Sequence, residues 1–296
     1  MTKIPRQVEQ GSRFAPSSGE QQRRSGGWFK LSIVLLIGLV PLRLVAQEEG
    51  VNKKRLNTVI IGGAGLYTAT MIGLGTVWYQ DLGKFHFFND NQGWAYMDKL
   101  GHSTTAYQIG RLGTRALEWT GLDHKRATWY GGMSGWFFLT SVEIFDGMSE
   151  DWGFSMGDVV ANTLGTAMFI SQELIWKEQK FMLKWSYTGS TYAQYRPELL
   201  GASSSERWLK DYNGQTYWLS TNLHSTLFRH STTFPKWLNL AIGYGIEGYT
   251  GADRNPLQNS AGQEIPLFDR YSQYYLSLDI DLTRIETRIK WLRAIF

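Results

Sequence analysis

The sequence predicts an α+β protein: a membrane-associated bundle of about four helices followed by a small antiparallel β region. Three observations predict it. Leu56 to Gln80 contains no charged residue, helical periodicity recurs between residues 93 and 178, and period-two alternation takes over after about residue 180. The composition agrees, because 15% aromatic residues, 32 Gly and 13 Trp suit membrane interfaces and close helix packing. The mean hydropathy of −0.29 is too low for a uniformly embedded chain. Two regions of different character are therefore expected.

Residues 1–46 read as a signal peptide, with an uncleaved N-terminal anchor as the alternative. Arg23, Arg24 and Lys30 form a basic start, LSIVLLIGLV (31–40) is a short apolar run, and cleavage would fall after Ala46. Removing this segment leaves 23 of the 30 Lys/Arg and 24 of the 26 Asp/Glu. The basic balance therefore belongs to the leader, and no nucleic-acid partner is expected. The sequence has no cysteine, which excludes disulfides, thiolate metal sites, a Cys nucleophile and a lipid-bearing Cys.

The helical region is expected over residues 50–180. Its first helix, Leu56 to Gln80, is long enough to cross a bilayer. Five glycines lower its propensity in water but permit close packing, and Arg55, Trp78 and Asp81 suit interfacial positions. TVIIGGAGLYTAT (58–70) has part of a dinucleotide-binding fingerprint, but no βαβ pattern follows, so a packing helix is expected. Further helices are predicted at about 93–119, 125–146 and 155–178. Gly131 and Gly135 form a small-xxx-small pair in the second of these. Ser155 is a good N-cap for the last, with Asp158 three residues on.

The β region is expected over residues 181–296. QTYWLSTNL (215–223), LNLAIGYGIEGY (238–249) and YYLSLDIDL (274–282) alternate as half-exposed strands do. In the last, Tyr274, Leu276, Leu278 and Ile280 share one face, while Ser277, Asp279 and Asp281 share the other. Three or four strands fall short of the roughly eight that a closed membrane barrel needs. DYNGQTYW (211–218) reads as a hairpin turn entering an aromatic strand.

Three polar clusters stand on the predicted helices. Asp98, Lys99 and His102 form the first, with Asp98 and His102 four apart and so on one face. Glu143 and Asp146 form the second, and Asp158 and Asn162 the third. No nucleophile elbow, zinc-protease helix or phosphate loop is present. His86, His124, His224 and His230 stand apart from paired ligands and read as surface residues.

DKLGHSTTAY, EIFDGMSEDWGFSMGDVVANTLG and KDYNGQTYWLS closely resemble the YfiM-like family of unknown function, predicted periplasmic lipoproteins. The likeness covers most of residues 50–285. The order of the pieces also resembles, more distantly, the VanZ-like membrane proteins. By this resemblance Asp98, Lys99, His102, Glu143, Asp146, Asp158 and Asn162 are motif positions. It implies an exported protein of the cell envelope on the periplasmic side of a membrane, the outer membrane favoured over the inner. It implies no established activity.

Two expectations follow for the clusters. In the favoured one they form a buried polar network in a structural or binding component of an envelope assembly. Asp98 then pairs with Lys99 or His102, Asp158 caps its helix beside Ser155, and Glu143 and Asp146 meet Arg111 or Arg115. Membrane lipid is the expected partner, with other envelope proteins beside it, and no cofactor is expected. In the alternative, His102, Glu143, Asp146 and Asp158 hold a divalent metal that activates water against envelope lipid or glycan. Lys99 and Asn162 would then orient substrate or stabilise negative charge.

Overall fold

The computed structural model describes residues 50–77, 82–150 and 152–285. The leader at 1–46 and the interfacial positions Trp78 and Asp81 lie outside the described residues. The order of elements is α+β, with long helices first and a four-stranded antiparallel sheet after them.

Helix α1 (Lys53–Val77) starts where Asn52 Oδ1 accepts the backbone N–H of Arg55 at 3.1 Å. Leu56, fully buried, packs on Leu117, Leu122 and Ala127. Farther along, Tyr67 reaches Ser141 with its hydroxyl at 3.0 Å and sets its ring edge-on to Phe138. The opposite side of α1 is bare: Ile61 and Leu66 are each 71% exposed.

Helix α2 (Met97–Trp119) is the hub of the bundle, meeting α3 (His124–Gly132), α4 (Ser134–Asp146) and α5 (Met156–Trp176). The expected small pair explains how. A Cβ on Gly131 would strike the backbone of Thr114, and one on Gly135 would strike the carbonyl of Ala106. Main chains approach this closely only where side chains are absent.

The helix expected at 125–146 divides into α3 and α4 at Met133, so the helix count differs from four. Gly131 and Gly132 weaken helix propensity there, and Ser134 Oγ takes the Gly131 carbonyl at 2.6 Å. The helix expected from residue 93 likewise begins late. Trp94, Ala95 and Tyr96 adopt positive φ values of 53°, 47° and 67°, forming a left-handed turn before α2. The Trp94 N–H donates to the Ala252 carbonyl at 3.2 Å, and the Tyr244 hydroxyl donates to the Ala95 carbonyl at 2.9 Å. Those distant residues hold a conformation that costs roughly 1–2 kcal/mol per residue.

Strands β1 (Phe181–Tyr187), β2 (Gln215–Asn222), β3 (Leu238–Glu247) and β4 (Tyr271–Ile280) form a meander in the order 1-2-3-4. Strand β1 was not among the alternating segments, and its outer edge is closed by helix side chains. Gln108 Nε2 donates to the Leu183 carbonyl, and Gln172 Oε1 accepts the Phe181 N–H at 2.8 Å. The short helices α6 (Pro197–Leu200) and α7 (Ser204–Lys210) lie between β1 and β2, and α8 (Leu223–Thr226) follows β2. The expected hairpin turn is instead a 3₁₀ turn, Tyr212–Gly214, that leads into β2.

The predicted two faces of β4 are present in the register, but which one is covered reverses the usual order. Leu219 pairs with Ile242 and Ile242 with Leu276, while Leu240 pairs with Leu278. Leu276 and Leu278 are 72% and 71% exposed. The polar face is the inner one, where Ser220, Asn222 and Asn239 are fully buried.

Candidate functional site

The polar residues of the three helical clusters converge at the first turns of α2 and α5. Tyr96 ends the left-handed turn, and α2 then presents Asp98, Lys99 and His102 on the side facing α5. Ser155 caps α5 by accepting the Asp158 N–H at 3.2 Å, as its position in the sequence predicts. Asp158 and Asn162, one turn apart and buried, face α2. Glu143, also buried, comes from α4 and accepts the Ser155 N–H at 3.2 Å.

Lys99 holds the acidic side of the cluster. Its Nζ lies 2.7 Å from Asp158 Oδ1, 2.7 Å from Asp90 Oδ1 and 3.0 Å from Asp98 Oδ2. Burial pulls the ammonium toward its neutral form, but the carboxylates of Asp98 and Asp158 overcome this and raise its proton affinity. Asp158 Oδ1 meets Lys99 as an ion pair without a well-aligned hydrogen bond.

His102 faces a second arrangement. Its Nδ1 is 3.1 Å from Asn162 Oδ1, so in this placement Nδ1 carries a proton and donates to the amide oxygen. The Nε2 lies 3.8 Å from Asp98 Oδ1, 3.7 Å from Glu143 Oε1 and 3.8 Å from Asp158 Oδ1. Three carboxyl oxygens therefore surround Nε2. The Nδ2 of Asn162 has no hydrogen-bond partner.

The crowding of acids moves their titrations apart. Burial, with the charges of Asp158 and Asp146 behind it, pushes Glu143 up to about 9. Burial and the Asp98 charge raise Asp158 as well, against the pull of His102 and Lys99. Asp98 is driven the other way: burial opposes its ionisation, but His102 and Lys99 lower its pKa. Such splitting is common at functional sites and also occurs in structural networks.

Six of the seven sequence-selected residues thus meet in one cluster. Asp146, half-buried a turn beyond Glu143, acts on that carboxylate through its charge. Among the described residues, the ligand atoms that lie within 4.8 Å of one another are those of Asp98, His102 and Asp158. Of the expected set His102, Glu143, Asp146 and Asp158, Glu143 and Asp146 stand outside this group, and Asp98 joins it. Glu143 and Asp146 do not meet Arg111 or Arg115, because those side chains point to a separate cavity between α2 and the sheet. His124, expected as a surface residue without partners, lies 2.7 Å from Glu118 Oε1 and 3.6 Å from Glu173 Oε2.

Sequence reasoning missed Asp90 and Tyr212. Asp90 accepts from Lys99 and from Ser155 Oγ at 2.7 Å. Tyr212 sends its hydroxyl to Asp98 Oδ1 at 2.9 Å, joining the β region to the helical site. Its stretch reads as a turn, and nothing local marks a contact 114 residues away.

An α+β chain with a buried acid–lysine–histidine cluster at its helix–sheet junction is the class that fold and site define. Residues 85–172 match the model of a family described as predicted periplasmic lipoprotein (DUF2279), whose function is unknown. The match spans α2 to α5 and contains the seven motif residues. It supports an exported, periplasmic envelope location and an uncharacterised periplasmic family. A likeness to VanZ-like proteins is not shown by it. No curated protein and no solved structure matches the chain.

Proposed function

We propose that the protein is a binding or structural component of the cell envelope, attached to a membrane through its helical half. The carrying observation is α1. Lys53–Gly75 is long and apolar enough to cross a membrane, and only 6% of its most apolar stretch is buried in the protein. A core helix of a soluble domain would be covered instead. In this reading the polar cluster fixes how α2, α4 and α5 stand beside the inserted helix, with membrane lipid as the first partner and other envelope proteins as further ones. The outer membrane is the favoured site. Fractionation tests it: the protein is expected in the membrane pellet after carbonate washing, and recovery in the soluble periplasmic fraction overturns the reading.

A second reading, a metal-assisted hydrolase of envelope lipid or glycan, is favoured by one observation. Donor atoms of Asp98, His102 and Asp158 lie within 4.8 Å of one another, with Glu143 3.7 Å from His102. Ligands about 2.1 Å from a zinc or manganese ion stand roughly 3.4 Å apart, close to these spacings. Such an ion would activate water, with Lys99 and Asn162 placed to steady developing negative charge. Lys99 already neutralises the Asp158 oxygen, which is why this reading comes second. Calorimetric titration with Zn²⁺ and Mn²⁺ decides it: one ion per chain, lost in His102→Gln, sustains the hydrolase, and no binding removes it.

A further inference from the structure

A cavity of about 280 Å³ opens beside the C-terminal half of α2, about four turns from the polar cluster. Arg111 and Arg115, one turn apart and therefore on one face, both line it. Among the described residues neither guanidinium makes an ion pair or a hydrogen bond. Four carboxylates and Arg284 share the lining, and each carboxylate already has a partner of its own. Glu118 Oε1 is 2.7 Å from His124 Nδ1, and Glu173 Oε1 accepts from Gln179 Nε2 at 2.8 Å. Glu178 and Asp281 both hold Arg284, at 3.2 and 3.0 Å. Those acids act on Arg115 only at longer range.

A second feature of the lining points the same way. Thr114, between the two arginines and only 3% exposed, has a hydroxyl with no hydrogen-bond partner. A helical Thr ordinarily gives its hydroxyl to a carbonyl one turn back. Behind it, Phe169 and Met182 supply an apolar floor and are almost fully buried. Burial and the neighbouring Arg111 charge lower the proton affinity of Arg115, against the pull of Asp281, Glu118 and Glu173.

From the two uncommitted guanidiniums, the orphan hydroxyl and the apolar floor, we infer that this cavity binds a phosphate group. Paired guanidiniums suit a phosphate because each can offer two parallel N–H donors to its oxygens. The phosphate has two natural sources, free inorganic phosphate or the headgroup of a glycerophospholipid whose glycerol side would rest on Phe169 and Met182. The inference depends on neither reading of the polar cluster.

The test is calorimetric titration of the full chain with three probes: inorganic phosphate, dihexanoyl-phosphatidylglycerol below its micelle concentration, and the zwitterionic choline analogue. Phosphate binding that weakens at least about tenfold in Arg111→Gln/Arg115→Gln, the loss expected for a charge-assisted contact, establishes the site for the free ion. The same loss seen only with the phosphatidylglycerol assigns it to a headgroup. Thr114→Val is expected to weaken binding about threefold without lowering the melting temperature. Lys53→Gln/Lys54→Gln, which removes equal charge from the exposed start of α1, should leave affinity unchanged. Absence of binding by both anionic probes overturns the proposal. So does binding that survives the double arginine variant, whereas equal binding of the choline lipid that is lost in that variant assigns the site to the phosphodiester the two lipids share.

Discussion

Two of the polar networks among the described residues, one in the sheet and one among the helices, are finished differently. On the inner face of the sheet, Asn222 Nδ2 donates to Asn239 Oδ1 at 2.7 Å, and Asn239 Nδ2 donates to Ser220 Oγ at 2.8 Å. Ser220 Oγ in turn reaches Asp279 Oδ2, which also binds Lys184. Asn222 Oδ1 accepts both the N–H and the hydroxyl of Ser225. Every step there has a donor and an acceptor, so the ladder is complete without help. The helical cluster is charged, gathers three carboxyl oxygens around His102 Nε2, and leaves Asn162 Nδ2 without a hydrogen-bond partner among the described residues. A network closed on itself specifies a fold, whereas one that crowds carboxyl groups together and leaves a buried donor unmatched is costly to hold.

Removing the cation of the helical network should show the largest effect. Lys99→Met leaves Asp90, Asp98 and Asp158 facing one another, and a loss of about 3–5 kcal/mol is expected in denaturant unfolding at pH 7.5. A loss below about 1 kcal/mol would mean that the cluster does not depend on its lysine. The sheet network should come next. Asn222→Ala strands the partners in α8 and β3, and a loss of about 2–3 kcal/mol is expected by the same measurement, with little dependence on pH because its groups are mostly neutral.

The helical network should lose stability as pH rises, whereas the sheet network should respond only at the acid end. Burial opposes ionisation of Asp279, but Lys184 and Ser220 hold its pKa below the ordinary carboxylate value, so their contribution is lost as Asp279 takes up a proton. Glu143 takes up its proton near 9 when folded but near the ordinary carboxylate value when unfolded. Between those values the folded state holds more protons, so stability falls as pH rises from about 4.5 to 9. Glu143→Gln mimics the protonated group and should raise stability at pH 8.5 by at least ~1 kcal/mol, with no gain at pH 4. Equal gains at both pH values would show that burial of charge is not what Glu143 contributes. The smallest effect on folding is expected for His102→Gln, within about 1 kcal/mol in melting experiments, since its Nε2 makes no hydrogen bond. A larger loss would place the imidazole in the same structural role as Lys99.

Much of this contrast was legible in the sequence, for physical reasons. The long helices announced themselves by charge-free or amphipathic runs, and Ser155 marked the start of α5 through a cap that depends only on neighbours. Asp98, His102, Asp158 and Asn162 were recognisable because residues four apart share a helix face. What escaped was set by distant contacts. The left-handed turn at Trp94–Tyr96 has no glycine to announce it and is held by Ala252 and Tyr244. Tyr212 looked like a turn residue because its partner lies on another helix. Strand β1 was hidden by Lys184, whose charge is directed inward to Asp279. The alternation in β4 predicted two faces correctly but carried no information on which would be covered.

The left-handed turn also orders events in time. The Trp94 N–H needs the Ala252 carbonyl, and the Ala95 carbonyl needs the Tyr244 hydroxyl. A ribosome makes those partners some 150 residues after the turn itself. Helices α2 to α5 pack mainly on one another and on β1, but the segment leading into Asp98 has its supports in the third strand and the loop beyond it. The acidic wall of the cluster is therefore completed last, and a chain interrupted before residue 252 carries the residues of the site without the support that positions them.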